Sequence, residues 1–274
     1  MLVDDLAPGD AKSATKGWDD FALHRVTSQD DVWFDTAFGM LWEEFGNRGE
    51  METPEVLARR LAWGAGTHAF PGCLRYELLL VTKDNRPIAV RDHTAIVNTD
   101  FSQAVVHMSH NLVSEPWRRS GIAGWLRALP VQTARACLKD SGLPRDHPVS
   151  LVAEMEAADP EDAARTTRLT AYEKAGYWKI DPSCIHYLQP DFRSPDVIDA
   201  SGGPEPVPLC LLVRRVGLES ERVITGRQVR EIAEALYRMY AVEFRQQDMV
   251  PLFESFYHYP APDSKIRLVP PTAT

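Results

Sequence analysis

Two stretches of the chain combine residue types that could do chemistry. The first is His107-Met-Ser-His-Asn-Leu-Val-Ser-Glu-Pro-Trp-Arg-Arg-Ser-Gly-Ile-Ala-Gly-Trp-Leu, which reads as a strand turning through small and basic residues directly into a helix. A helix N-terminus presents unpaired N–H groups and a partial positive charge, and a glycine there lets the backbone approach a phosphate closely. Arg118 and Arg119 add positive charge at the same place. The geometry suits an anion. The second stretch is the short apolar strand Val149 to Met155, which carries Glu154 and is followed by Glu156. His107 can accept a proton near neutral pH, directly or through water. Period-two alternation puts His107, Ser109 and Asn111 on one polar face, and Val106, Met108, His110 and Leu112 on the other. A hydrogen-bonded structural histidine is the plain alternative for His107, and more so for His110.

The elements that must position these residues are legible along the chain. Residues 1–22 are polar and read as a flexible lead-in. From Ser28 the spacing of Phe34, Ala37, Phe38, Leu41, Trp42 and Phe45 predicts an amphipathic helix, and Thr53-Pro54 opens a second one running to about Trp63. Tyr76 to Thr82, Ile88 to Val97 and Ala104 to Val113 read as an antiparallel meander, with a turn at Asp84-Asn85-Arg86-Pro87. A long helix follows Gly121, interrupted by Pro130 and closed by Gly142. Asp159-Pro160-Glu161-Asp162 then opens a helix that Gly176 terminates. Strands are expected at Ile185 to Leu188 and Pro208 to Val216, joined by a Pro, Gly and Asp-rich loop. Thr225 and Gln228 form a capping box before a last amphipathic helix through Val229, Ile232, Leu236 and Tyr240.

The phosphate-like turn and a second motif resemble the GNAT acetyltransferase superfamily. Its signature [Gln/Arg]-x-x-Gly-x-[Gly/Ala] is met by Arg118-Arg119-Ser120-Gly121-Ile122-Ala123, and Ala171-Tyr172-Glu173-Lys174-Ala175-Gly176-Tyr177 is similar to the Tyr-Glu-Lys-x-Gly-Phe end of a later family helix. Order and spacing agree across roughly residues 23–216. The resemblance implies an α/β (α+β) fold: a mixed, mainly antiparallel twisted sheet of six to seven strands flanked by about four helices. It leaves 217–274 as a C-terminal helical extension packed on the core or on a second subunit.

The same resemblance implies acetyl-CoA as cofactor. Residues 118–123 would hold its pyrophosphate, and the backbone of Leu112 and Val113 would hold pantetheine and polarise the thioester. Tyr172 matches the residue that protonates the departing thiolate, a role suited to a phenol. His107 lies at the strand depth where some branches place a base, with Glu154 and Glu156 as rivals. One departure stands out: the family often carries Asn and Ala where this chain has Arg165 and Arg168. Arg91, Asp92 and His93, and Asp191, Asp196 and Asp199 of the late loop, could read an acceptor, with a solvated surface as the alternative.

Composition sets the remaining bounds. At 274 residues, 44% hydrophobic and 25% charged, the chain can bury a full core. A net charge of −9 argues against nucleic-acid binding and favours a cationic or neutral partner. Cys73, Cys137, Cys184 and Cys210 lie far apart with no Cys-x-x-Cys pair, so no metal site or disulfide framework is signalled. No secretory signal or membrane span is read, and a cytoplasmic protein is expected. The leading expectation is an acyl-CoA-dependent N-acyltransferase acting on a small-molecule amine or amino acid. The rivals are a non-catalytic acyl-CoA-binding module and a longer-chain transferase, for which Arg118, Arg119, Arg127 and Arg135 offer a basic patch to an acyl carrier protein.

Overall fold

The computed structural model describes residues 5–13, 18–46, 51–64 and 72–273. Residues 1–4 and 14–17 of the expected lead-in lie outside the described residues. The strands are β1 (Ala22–Val26), β2 (Gly72–Lys83), β3 (Arg86–Asn98), β4 (Ala104–His107), β5 (Asn111–Val113), β6 (Val149–Met155), β7 (Trp178–Ile180), β8 (Tyr187–Gln189), β9 (Val207–Arg215), β10 (Val223–Thr225) and β11 (Lys265–Val269). The helices are α1 (Pro8–Ser13), α2 (Phe34–Phe45), α3 (Pro54–Leu61), α4 (Ile122–Asp140), α5 (Ala163–Lys174), α6 (Pro195–Ala200), α7 (Gly226–Tyr240) and α8 (Gln246–Glu254).

The sheet runs in the order β1-β2-β3-β4-β6-β9-β7-β11-β10, with β5 on β3 and β8 on β9. Pairing is antiparallel except between β4 and β6. The mixed, mainly antiparallel sheet is as expected, but among the described residues its 11 strands exceed the six to seven anticipated, and eight α-helices exceed the expected four and a C-terminal one. Part of the excess is one anticipated strand, 104–113, broken in two. The rest comes from pieces of three to five residues, too short to show a period.

Local chemistry explains the longer elements. Asp84 and Asn85, both at positive φ, make the two-residue turn whose twist matches the β2–β3 hairpin. Asp162 caps α5 by accepting from the Arg165 amide, and Gly176, at φ 81°, ends it. Thr225 and Gln228 close a reciprocal capping box on α7.

The sheet carries a core on each face. Phe34 and Leu41 of α2, Leu57 of α3, Leu236 of α7 and Leu252 of α8 pack on Leu78, Val90, Val152 and Leu211. Val131 and Leu138 of α4 and Leu169 of α5 pack on Val106, Leu151 and Leu212 of the opposite face. Residues 217–274 are more than a helical extension, because Leu268 and Val269 pair with Ile180 and Lys179 and so add β11 and β10 to the sheet. Within the lead-in, Asp5, Leu6, Ala7 and Asp10 are buried, and α1 packs against α4.

Candidate active site

β4 and β6 run side by side only as far as His107 opposite Val152, after which the Met108 amide donates to the Val152 carbonyl at 2.8 Å. Beyond that rung the strands part. β5 stays with β3, while Glu154 and Met155 of β6 stay with β9. The pairing with β3 gains one residue across the gap, since His107 faces Thr94 but Asn111 faces Arg91. This bulge reverses the alternation expected from sequence. His107, His110 and Leu112 share the α2/α7 face, and Asn111 moves to the α4/α5 face with Arg91. The shift is physical rather than chemical, because an extra unpaired residue leaves no mark on hydrophobic spacing.

The ladder also sorts the backbone groups. Asp92 donates to the His110 carbonyl and Ser114 donates to the Ile88 carbonyl, so the alternation turns Leu112 toward Val90 and turns the peptide groups of Asn111 and Val113 into the wedge. The Val113 carbonyl accepts from Arg118 Nε at 3.2 Å. Past a short 3-10 turn at Glu115–Trp117, Arg119 and Gly121 both take positive φ, at 66° and 89°. That double reversal lets the chain enter α4 with the amides of Gly121, Ile122 and Ala123 free of partners among the described residues. Ser120 is turned back, its Oγ donating to the Trp117 carbonyl at 2.6 Å. Arg118 and Arg119 are exposed beside this cradle.

His107 and Glu154 meet inside the α2/α7 face. His107 Nε2 lies 2.8 Å from Glu154 Oε2, and Ser109 Oγ lies 3.2 Å from His107 Nδ1. Glu154 also accepts from Tyr187 at 2.5 Å, Tyr240 at 2.6 Å and Gln189 at 3.3 Å. Burial pushes the Glu154 carboxyl up, but His107 and the two phenols outweigh it and hold the group below its ordinary value. The cost falls on the phenols, which burial and the Glu154 charge push well up. Tyr187, Gln189 and Tyr240 escape a sequence reading because they come from distant elements and form no motif.

The other anticipated residues are dispersed. Glu156 falls past the end of β6, half exposed, against Arg165 at 3.0 Å and Arg168 at 3.5 Å. Tyr172 sits on the opposite side of the sheet, edge-on to Tyr177 with centroids 4.9 Å apart. Arg91, Asp92 and His93 are buried rather than solvated. Asp92 accepts from the His110 amide, His110 Nδ1 and the Tyr76 hydroxyl. Burial raises the Asp92 carboxyl, yet the His110 charge and these bonds bring it down to about 2. In the late loop Asp191 pairs with Arg193 and Asp199 with Arg245.

The groove between α4 and α5 is bridged by residues 5–13. Asp10 takes both Nε and Nη2 of Arg127, at 3.0 and 2.5 Å, and packs on Gly124. Asp5, fully buried, takes Arg135 at 2.5 Å and Gln132, while its carbonyl accepts from Arg214 at 3.1 Å. Gly9 lies so close to the Lys174 carbonyl of α5 that a Cβ would collide with it.

No family model matches the chain, and no curated protein matches it. Solved structures to which it is similar include GNAT acetyltransferases. An aminoglycoside 6′-N-acetyltransferase complexed with coenzyme A is 11% identical, with 71% of this chain and 97% of that one covered and a TM-score of 0.43. A GNAT-family protein of Desulfovibrio desulfuricans is 17% identical over 72% of this chain and 99% of that one, with a TM-score of 0.40. Escherichia coli ElaA is 12% identical over 71% and 99%, with a TM-score of 0.37.

Proposed function

We propose that the chain is an acyl-CoA-dependent N-acyltransferase that moves an acetyl group from acetyl-CoA to the primary amine of a small molecule or amino acid. The observation that carries this reading is the wedge between β5 and β6, which the Val113 peptide faces and which leads into unpartnered amides at the start of α4. Those amides with Arg118 and Arg119 fit a pyrophosphate. Acetyl-CoA supplies an activated acyl group and a thiolate leaving group.

The chain's own residues then have distinct tasks. The Asn111 and Val113 amides stabilise negative charge on a carbonyl oxygen in the wedge. His107 accepts the proton that the amine loses, with Glu154 fixing the orientation of its ring through Nε2. The Tyr172 hydroxyl gives a proton to the thiolate. One N–C bond forms as the C–S bond breaks, and the two proton transfers balance. A pantetheine arm lying between α4 and α5 requires residues 5–13 to leave the groove.

The test is calorimetric titration with CoA and acetyl-CoA, followed by an acetylation assay on a panel of amines. Tyr172→Phe and His107→Gln should each lower kcat about a hundredfold with CoA affinity nearly unchanged. A native protein that binds neither CoA nor acetyl-CoA overturns the reading.

A further inference from the structure

Arg91 stands on β3 with its side chain fully buried on the α4/α5 face. Its Nη2 lies 3.0 Å from Met108 Sδ, while Nε and Nη1 have no hydrogen-bond partner among the described residues. Asp92, its chain neighbour, points to the other face and is taken up by His110 and Tyr76. Asp10 is engaged by Arg127. A buried guanidinium without a carboxylate destabilises a fold, and burial pulls this one below its ordinary pKa.

Further groups on this face are also unpaired. The Tyr177 hydroxyl is fully buried without a hydrogen-bond partner among the described residues, and Arg91 and Arg127 both act electrostatically on it. Asn111 Oδ1 is likewise without a partner among the described residues, and Asn111 lies directly opposite Arg91 in the β3–β5 register. Met108, which Arg91 touches, makes the last rung before β4 and β6 part. The guanidinium therefore lies at the closed end of the wedge, on the side where Tyr172 stands.

We propose that this closed end binds the carboxylate of a short dicarboxylic acyl group, with Arg91 as the residue that selects an acidic donor over a neutral one. The assignment rests on the acyl-CoA reading above and narrows its donor, with a short dicarboxylic acyl group preferred and acetyl-CoA left as a donor that the same cradle holds more weakly. A planar guanidinium offers a carboxylate two parallel donors, and the Tyr177 hydroxyl can add a third. The carboxylate takes no part in bond making, and its charge compensates the buried cation.

The experiment compares succinyl-CoA with butyryl-CoA, which has the same number of acyl carbons and no carboxylate, by calorimetry on the full chain. The native protein should bind succinyl-CoA at least about tenfold more tightly. Arg91→Met should erase that ratio, leave CoA binding in place, and hold or raise the thermal midpoint of the ligand-free protein, because it removes an uncompensated charge. A purely structural Arg91 predicts the reverse, a lowered midpoint with no change in selectivity. Equal binding of the two thioesters by the native protein, or a preference that survives Arg91→Met, overturns the proposal. Should Arg91→Met fail to fold, Tyr177→Phe takes its place and must reduce the ratio severalfold. Binding of acetyl-CoA and butyryl-CoA without succinyl preference removes this inference alone, whereas failure of every CoA compound to bind removes the acyltransferase reading with it.

Discussion

On the α2/α7 face of the sheet, Glu154 accepts from four side chains, and Asp92 accepts from three groups. On the α4/α5 face, Arg91 and Tyr177 are buried and Asn111 is half-buried, each with an atom that no described residue satisfies. Both sets straddle the same break between β4 and β5. A saturated network fixes geometry and resists water, whereas unpaired buried groups cost stability unless something else meets them. The difference separates scaffold from binding surface more sharply than residue type does, because each side holds a carboxylate or guanidinium beside tyrosines.

Truncating the centre of the saturated Glu154 network should give the largest effect. Glu154→Ala strands His107, Tyr187 and Tyr240 without their acceptor, and should lower stability by about 3 kcal/mol or more. Urea denaturation measures it. A loss near zero would mean that the knot is solvated and that the two faces do not differ.

The second effect is a pH dependence on the same face. The Asp92 carboxyl is depressed to about 2 in the folded protein. A depressed carboxylate contributes stability that is present above its unfolded pKa, near 4, and is lost as pH falls through the folded value. The contribution is about 2 kcal/mol, lost between roughly pH 4 and pH 2. Asp92→Asn should flatten the urea midpoint against pH across that window, and an unchanged acid limb would detach His110 and Tyr76 from the network.

How much of this was legible in sequence depends on the range of the signal. The α7 capping box, the Asp84–Asn85 turn and the Arg118–Ala123 entry to α4 are local, and each is found where the residues place it. The helix expected from Ser28 begins only at Phe34, after Trp33 and without a side-chain cap bond. The His107–Glu154 contact was open to inference only as two rival bases on neighbouring strands. Its phenolic partners come from positions 187 and 240, and the place of Tyr240 on the apolar stripe of α7 announces burial but not what the hydroxyl meets. The bulge at Met108–His110 was illegible because it preserves residue types and changes only parity.

The third effect tests the groove on the α4/α5 face. Asp5 and Asp10 hold residues 5–13 across it through Arg135, Gln132 and Arg127. If the cofactor arm takes this groove, the docked segment lowers apparent affinity by the fraction of molecules that are open. Replacing both residues, Asp5→Asn with Asp10→Asn, should tighten CoA binding by up to about tenfold in calorimetry. Weaker or unchanged binding would place the arm elsewhere.

The smallest effect is expected two residues beyond the strongest. Glu154 and Glu156 have the same side chain and the parity that would put both on one strand face, but β6 ends at Met155 and releases Glu156 to the surface. There its side chain is 50% exposed and shares Arg165 and Arg168, while Arg165 also has Asp159 and Asp162 within ion-pair distance. Water screens such pairs, and the cation keeps other partners when one is removed. Glu156→Gln should therefore change stability by less than about 0.5 kcal/mol and leave kcat/KM unaltered. Glu154→Gln, by contrast, turns an amide donor toward Tyr187, Tyr240 and His107, and should lose both stability and turnover. Steady-state kinetics on the two variants side by side decides the matter. A hundredfold loss confined to Glu156→Gln would move the base to the open end of the wedge and leave the His107–Glu154 pair as scaffold.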